Sequence, residues 1–191
     1  MNKEFLVEIF RDMPTLRTER LTLRRMRPSD AADMYSYASR PETSEHLLWS
    51  PHKSIGYTKE YLKFINKRYA IGDFYDWAIV ENASSRMIGT CGFTRIDIAH
   101  KKGEIGYVLN PDFQRKGYAP EAATEIIKFG FSALGLHRIE ARFMVENVAS
   151  RKVTEKLGMT FEREERDSML VKGRYRTIGI ASILENEYKT R

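Results

Sequence analysis

The stretch that decides the fold is residues 102–134, KGEIGYVLNPDFQRKGYAPEAATEIIKFGFSAL, in which a strand, a turn and a helix follow one another directly. Residues 105–109 form a short apolar run that is typical of a buried strand. Pro120 favours the first turn of a helix, and Gly135 favours its end. Between them, apolar side chains recur on one helical face and polar side chains on the other. The stretch therefore predicts a strand, a tight turn and an amphipathic helix.

The turn between this strand and this helix carries residues that suit an anion. It consists of Gln114, Arg115, Lys116, Gly117, Tyr118 and Ala119. A helix start aims unpaired backbone N–H groups outward, and small residues in the turn let an anion approach them. Arg115 and Lys116 add positive charge beside these groups. The turn therefore predicts a cradle for a pyrophosphate.

The flanking sequence predicts a sheet built around this stretch. Residues 139–145 alternate as a strand, and a strand, a helix and a strand in succession normally form a right-handed crossover between parallel strands. The cradle should then lie at the carboxyl end of the parallel pair, where ligands bind. Turn signals and alternation elsewhere indicate hairpins at residues 75–93 and 161–184. We expect an α/β (α+β) fold with a mixed, mostly antiparallel sheet of about six or seven strands and about four helices.

Length and composition indicate one domain without disulfides. The 191 residues are 42% hydrophobic, contain one cysteine and show no Pro/Gly/Ser-rich linker. No long uncharged apolar run could span a membrane, and the acidic N-terminus does not resemble a secretory signal. We expect a cytoplasmic protein with a single domain over residues 1–191, in which residues 1–14 are an amphipathic lead-in that ends at Pro14.

The net charge of +6 could attract nucleic acid, the ribosome or an acidic cofactor. Basic residues are spread among 26 acids, however, and no basic stripe of the kind that grips a nucleic-acid backbone is visible. We therefore expect no direct nucleic-acid binding. The four histidines lack metal-ligand spacing, and Cys91 lies in an apolar strand, so we expect no metal. Neither a G-K-[ST] phosphate loop nor a G-x-G-x-x-G fingerprint is present.

Four separated pieces of sequence carry a resemblance to a known family. They are TERLTLRRMRPSD (18–30), GEIGYVLNPDFQRKGYAPEA (103–122), NVASRKVTEKLGM (147–159) and KGRYRTIGIASIL (172–184). In this order and spacing the chain resembles the GNAT superfamily of N-acetyltransferases, and within it the RimJ/RimL-like branch. The glycine turn alone would be a weak signal, whereas the four pieces together cover most of the chain.

The resemblance implies acetyl-CoA as the cofactor, bound in an opening between the two parallel strands. The pyrophosphate would lie on residues 114–119. The backbone of Val108 and Leu109 would hold the pantetheine arm and the thioester carbonyl, which is an oxyanion-hole role. Asn147 matches an asparagine that bonds the pantetheine, and Ser150 matches a serine proposed to bond the cofactor sulfur. Helix capping explains Asn147 and Ser150 equally well.

Glu104 matches a glutamate that the family uses as a general base, and the alternative is a solvated charge on a strand. Many GNAT members place a tyrosine acid on the helix that holds Ser150, but Thr154 occupies that position here. This departure leaves the proton donor to the thiolate unassigned. Glu121 is interpreted as a partner of the helix dipole. Trp77 and Tyr107 could line the acceptor groove or belong to the core.

The resemblance thus predicts an enzyme that transfers acetyl from acetyl-CoA to a primary amine by direct attack. The RimJ/RimL-like features favour the N-terminal α-amine of a protein, with a small amine such as an amino acid, polyamine or antibiotic as the alternative. A non-catalytic acyl-CoA-binding protein is a further alternative, supported by the missing tyrosine. A homodimer is compatible with these expectations, and the sequence does not identify the acceptor.

Overall fold

The computed structural model describes residues 2–189, and within them the chain forms one eight-stranded sheet and seven α-helices. The strands are β1 (Leu16–Arg17), β2 (Leu21–Arg24), β3 (Asp76–Glu81), β4 (Met87–Asp97), β5 (Lys102–Leu109), β6 (Arg138–Met144), β7 (Thr160–Val171) and β8 (Arg174–Leu184). The helices are α1 (Lys3–Arg11), α2 (Ala31–Ala38), α3 (Pro41–Ser44), α4 (Ile55–Ala70), α5 (Tyr118–Ser132), α6 (Val148–Lys156) and α7 (Glu185–Lys189).

The sheet order is β1-β2-β3-β4-β5-β6-β8-β7, with β5 and β6 parallel and every other pair antiparallel. The predicted fold class is therefore confirmed, including both hairpins and the crossover through α5. The strand count exceeds the predicted six or seven because the two-residue β1 pairs with β2. The helix count exceeds four because the amphipathic lead-in forms α1, and because α3 and α7 are elements of only four and five residues.

The parallel pair separates before its strands end. Registered pairing runs only from Lys102↔Arg138 to Ile105↔Ala141, although β5 continues to Leu109 and β6 to Met144. Beyond Ile105, β5 stays paired with β4, and beyond Ala141, β6 stays paired with β8. The two strands therefore leave an opening between them, which is where the resemblance places the acyl carrier.

One face of the sheet is covered by α1 and α5. The Trp77 ring lies edge-on between Phe10 of α1 and Phe129 of α5, at centroid distances of 5.7 and 5.4 Å. Its Nε1 donates to the Pro14 carbonyl at 2.8 Å, and the side chain is fully buried. Trp77 is therefore a core residue and does not line an acceptor groove. In the lead-in helix, Leu6 is buried together with Phe10.

The opposite face is covered in part by α2 and α4. Tyr69 of α4 donates its hydroxyl to the backbone carbonyl of Asp76 at 2.6 Å, and Asp33 of α2 accepts from the Met87 amide at 3.0 Å. Since successive strand residues point to opposite faces, Asp76 points towards α2 and α4 while Trp77 points towards α1 and α5. This second face carries the polar groups discussed below. No helix within residues 2–189 is long and apolar enough to cross a membrane.

Candidate active site

The turn before α5 has the conformation of an anion cradle. After a short 3₁₀ segment, Pro111–Phe113, the backbone takes positive φ at Arg115 (62°) and again at Gly117 (83°). Gly117 is the N-cap of α5, and the left-handed region there favours glycine. The Gln114 side-chain amide donates to the Leu109 carbonyl at 3.2 Å, which ties the turn to the end of β5.

The start of α5 presents backbone donors at this turn. The Glu121 amide donates to the Gly117 carbonyl at 3.2 Å, and Pro120 has no N–H. The N–H groups of Tyr118 and Ala119 precede the first intrahelical donor and so have no helical partner. Arg115 and Lys116 are exposed beside them. The residues present therefore fit a pyrophosphate, with unpaired donors, positive charge and no side chain at Gly117.

An ion pair far apart in sequence fixes the start of α5. Glu121 accepts from Arg20 Nε at 2.7 Å and from the Thr18 hydroxyl at 2.6 Å. The Arg20 guanidinium lies 4.6 Å from the Tyr118 ring centroid, and Nη1 donates to the Lys116 carbonyl at 2.9 Å. Glu121 is therefore more than a helix-dipole partner, because it joins α5 and the cradle to β2. Arg20 was not among the predicted site residues, because a local sequence pattern cannot relate residues that are 101 positions apart.

The hydrogen-bond alternation of β5 determines which backbone groups face the opening. The Asn110 amide donates to the Ile88 carbonyl at 2.7 Å, in register with Val108↔Thr90. Antiparallel pairs alternate, so the N–H and C=O of Val108 face β4, and those of Tyr107 and Leu109 face the opening. The Leu109 carbonyl is taken by Gln114, which leaves its N–H as a donor on that side.

Glu104 lies near the point where the two strands separate. Its Oε1 accepts a hydrogen bond from the Thr94 hydroxyl at 2.8 Å, and the side chain is half-buried. By strand alternation, Glu104 shares its sheet face with Gly106 and Val108, two and four residues further along β5. The carboxylate is thus held next to the opening, on the face that α2 and α4 only partly cover.

Tyr107 and Ser150 meet across the opening. Asn147 is the N-cap of α6, where its Oδ1 accepts from the Ser150 amide at 3.0 Å. The Ser150 hydroxyl lies 2.9 Å from the Tyr107 hydroxyl, so a residue of β5 contacts the helix that follows β6. Burial raises the pKa of Tyr107 to about 12, which keeps the phenol protonated at neutral pH. Tyr107 is therefore placed at the predicted site, opposite Ser150.

Thr154, at the position where the resemblance predicts a tyrosine acid, is not placed to donate a proton to a thiolate. Its side chain is buried, and its hydroxyl donates to the Arg151 carbonyl at 2.7 Å. Cys91 is also buried, and desolvation raises the pKa of its thiol. Among residues 2–189, no three His, Cys, Asp or Glu side chains form a group that could hold a metal ion.

The β7–β8 hairpin contacts the helical segment that follows α2. The tip of the β7–β8 hairpin reaches the segment after α2, where Lys172 Nζ donates to the Ser44 carbonyl at 2.5 Å. Behind this contact lies a small apolar cluster, separate from the main core. Its buried members are Met144, Val171, Ile178 and Ile180. This contact joins the hairpin to the end of α3. The pocket that contains Glu104 is lined by other residues, namely Arg95, Asp97, Lys102, Gly103, Glu140 and Arg142.

Comparisons with known proteins agree on one family. A profile for the acetyltransferase (GNAT) domain matches residues 20–160. The chain is 36% identical to the uncharacterized N-acetyltransferase p20 of Bacillus licheniformis over 92% of this chain and 99% of that protein. A crystal structure of a GNAT-family acetyltransferase from Bacillus anthracis superposes with a TM-score of 0.81 at 28% identity, covering 91% of this chain and 100% of that chain.

More distant similarities differ in the acceptor that their names give. The spermidine N(1)-acetyltransferase of Vibrio cholerae is 26% identical over 90% of this chain and 96% of that protein. The microcin C7 self-immunity acetyltransferase MccE, in complex with acetyl-CoA and AMP, shares the fold with a TM-score of 0.78 at 20% identity, covering 87% of this chain and 93% of that chain. The ribosomal-protein-S5-alanine acetyltransferase of Vibrio fischeri shares it with a TM-score of 0.73 at 23% identity, covering 92% of this chain and 98% of that chain.

Proposed function

The chain belongs to the GNAT acetyltransferase superfamily, whose members use acetyl-CoA, and from this premise we propose that it acetylates a small cationic primary amine. The observation that carries the proposal is the opening between β5 and β6, with the cradle at one end and Glu104, Tyr107 and Ser150 around it. The protein N-terminal amine that the RimJ/RimL-like features predict is the competing acceptor.

Acetyl-CoA supplies an activated acetyl thioester, and the chain's contribution begins with holding it. Residues 114–119 fit its pyrophosphate, as described above. Along β5, the N–H of Leu109 and the backbone of Tyr107 are the groups available to the pantetheine arm and the thioester oxygen. We therefore assign the backbone contacts to Tyr107 and Leu109 rather than to Val108, whose polar groups pair with β4. Asn147 belongs to the same site through its cap of α6.

Glu104 is the proposed general base. A primary amine is protonated at neutral pH and cannot attack until it loses that proton. The carboxylate beside the opening can accept the proton directly or through one water. Thr94 fixes one oxygen of Glu104 and leaves the other available. Because positioning two reactants can supply about 7–11 kcal/mol of the barrier, this base is one part of the rate enhancement.

The Ser150 hydroxyl is the proposed donor to the departing sulfur. A thiol has a pKa of about 8.5, so a hydrogen bond to the thiolate is enough to assist its departure. Tyr107, 2.9 Å away, orients the Ser150 hydroxyl. This hydroxyl pair takes the place of the tyrosine that Thr154 replaces.

Two features support a small acceptor. The Lys172 contact with Ser44 joins the β7–β8 hairpin to α3, and a closed arrangement on this side would restrict the approach of a folded protein surface. The carboxylates of Glu104 and Asp76 lie on one sheet face. Glu104 shares its pocket with Arg95, Lys102 and Arg142, so Asp76 is the acid that would favour a positively charged acceptor. The spermidine acetyltransferase among the relatives supports this class of acceptor.

The test is release of free thiol from acetyl-CoA in the presence of a panel of acceptors. The panel contains diamines, polyamines, amino acids and peptides that begin with serine or alanine. We expect turnover with small cationic amines and little with the peptides. Selective turnover of the peptides would restore the protein acceptor. Saturable acetyl-CoA binding without acceptor-dependent release from any member would contradict the proposed activity.

A further inference from the structure

Asp76 stands at the end of a row of three residues that are in register across the sheet. In the sheet, Asp76 pairs with Gly92 of β4, and Gly92 pairs with Gly106 of β5. Of the two glycines between Asp76 and the opening, Gly92 is buried, and Gly106 lies under the Thr94 methyl, which is 2.7 Å from where a Cβ of residue 106 would stand. A Cβ on Gly92 would lie 2.9 Å from Asp76 Oδ1 and only 2.2 Å from the Tyr75 carbonyl oxygen, so this position must be glycine. Asp76 and Gly106 are both half-buried, so the two ends of this row are partly exposed to solvent.

Two polar atoms at this end of the row lack partners. Asp76 is among the causes that raise the pKa of Tyr37, so the two side chains are neighbours. Asp76 Oδ1 and the Tyr37 hydroxyl are both shielded from solvent, and neither has a hydrogen-bond partner among the described residues. Tyr37 is 2% exposed. The Thr90 hydroxyl and the Trp77 backbone N–H lie close enough to this carboxyl to lower its pKa. Buried polar groups without partners are rare and costly, so two in one region indicate a missing partner.

The chemistry of the two atoms restricts that partner. An ionised carboxylate oxygen can only accept, and a phenol oxygen accepts as well as donates. An ammonium group carries three N–H donors and a positive charge, so it can satisfy both atoms and neutralise Asp76. An anion would be repelled, and a neutral hydroxyl would leave the buried charge uncompensated.

Distance separates this position from the reacting amine. Asp76 lies on β3, two strands away from β5, and neighbouring strands are about 4.8 Å apart. A group at Asp76 is therefore about 10 Å from the strand that lines the opening. An amine that attacks a carbonyl carbon must approach it within about 3.5 Å, so an amine held at Asp76 is not the nucleophile.

We infer that Asp76 and Tyr37 form a subsite for a second ammonium group of the acceptor, and that the acceptor is a diamine or polyamine. The inference rests on the proposed function, because it assumes that the nucleophilic amine reacts at the opening. Glu104 serves the reacting amine, and Asp76 holds the distal charge.

The experiment measures binding without turnover. Calorimetric titrations with putrescine, cadaverine, spermidine, n-butylamine and 1,4-butanediol are compared on the full chain at pH 8. We expect the probes with two or more ammonium groups to bind at least tenfold more tightly than n-butylamine, and the diol not to bind. Equal affinity for n-butylamine and the diamines would overturn the inference and indicate that only water occupies the site.

Substitutions at Asp76 and Tyr37 test whether polyamines bind at these two residues. Asp76→Asn removes the charge without changing the shape, and we expect it to lower polyamine affinity at least tenfold. Tyr37→Phe should lower it by a smaller factor. The matched control is Asp73→Asn, on an exposed side chain paired with Arg68 outside the groove, which should leave affinity unchanged. Unchanged affinity in both Asp76→Asn and Tyr37→Phe would reject the subsite.

The binding result and the activity result can fail separately. Polyamine binding that depends on Asp76, without thiol release from acetyl-CoA, would reject the proposed activity and retain the subsite. Turnover of monoamines and diamines at equal rates in both the parent and Asp76→Asn would retain the activity and reject the subsite.

Discussion

At the scale of single residues, Glu104 has a role that pH can test. Glu104→Gln keeps the bond from Thr94 within reach but cannot accept a proton. At neutral pH, where the acceptor is protonated, we expect the rate to fall about 100-fold. Near about pH 10, where much of the amine is already neutral, the deficit should shrink. The measurement is the pH profile of kcat/KM for both proteins.

The control for this prediction is Glu125→Gln, on α5 and paired with Lys128. It should reproduce the parent profile. Identical profiles for Glu104→Gln and the parent would remove Glu104 as the base and leave it as a strand charge.

Tyr107 is the second residue whose role can be isolated. Tyr107→Phe removes the hydroxyl that orients Ser150 and keeps the ring. We expect kcat to fall about tenfold while KM for acetyl-CoA changes less than about twofold, because the lost contact acts on the departing sulfur. Adding Ser150→Ala to Tyr107→Phe should cost no more than Ser150→Ala alone, since the two hydroxyls act as one unit. A raised KM with unchanged kcat would show that Tyr107 only binds the cofactor.

At this scale, a site feature can be predicted from the sequence when the residues that produce it are contiguous. The cradle at residues 114–119 follows from a strand, a glycine and a helix start that are contiguous, so its geometry was predictable. Asp76 was not, because an acid that alternates with apolar strand residues is typical of a solvated face. Only the packing of α2 and α4 over that face leaves its Oδ1 without a partner.

At the scale of elements, the attachment of α5 to β2 decides whether the cradle keeps its shape. Glu121 is partly desolvated, which raises its pKa, but bonds from Thr18 and Arg20 outweigh this and hold the pKa below its usual value. The sequence assigned Glu121 to the helix dipole because its partners are about a hundred residues away. Contacts of this length follow from topology and cannot be obtained from local pattern.

Glu121→Gln tests the attachment. The substitution keeps the size but loses the charge, and hydrogen bonds to charged groups are worth about 1.5–3 kcal/mol, so we expect a loss of about 2 kcal/mol in the free energy of unfolding. Because the folded pKa is depressed, the parent's advantage is present above about pH 4.5 and is lost as pH falls through the lower folded pKa. Urea unfolding at neutral and acidic pH measures both. Acetyl-CoA affinity should fall as well, since Arg20 contacts the cradle carbonyl of Lys116.

A matched control is Glu60→Gln on α4, whose partner Lys63 is exposed. Surface pairs of this kind contribute little, so its stability should stay within about 0.5 kcal/mol of the parent. Equal stability of the Glu121 and Glu60 variants would mean that the attachment of α5 does not depend on this ion pair.

At the scale of the whole molecule, the site is assembled on one sheet whose two faces carry different kinds of side chains. The face under α1 and α5 is apolar and holds Trp77, while the face under α2 and α4 carries Asp76 and Glu104. The opening exists because β5 and β6 each keep their outer partner after they separate. The fold class was predictable from the order of strands and helices. The division of roles between faces was not, since it depends on which helices pack on each face.

The free energy of unfolding should therefore depend on pH through the buried carboxyl of Asp76. Desolvation raises the pKa of its carboxyl to about 7, against bonds from Thr90 and the Trp77 N–H that lower it. The unfolded chain ionises this group near its ordinary pKa of about 3.9, whereas the folded chain keeps the proton until about pH 7. Ionisation thus costs folding free energy as pH rises through this window, at most about 4 kcal/mol at 1.36 kcal/mol per pKa unit.

The side chain introduced by Asp76→Asn cannot ionise, so the variant does not lose folding free energy in this way. The tyrosines that face the carboxyl, Tyr37 and Tyr61, have pKa values raised by burial and stay neutral throughout the window. We expect the variant to match the parent in Tm near about pH 4 and to exceed it by several degrees at about pH 8. Asp73→Asn, on an exposed acid, should run parallel to the parent at every pH. A constant difference between Asp76→Asn and the parent across the range would mean that Asp76 is already ionised in the folded chain at low pH.

A saturating diamine at pH 8 should narrow the expected Tm difference between the two proteins, because the ammonium compensates the charge that the parent buries.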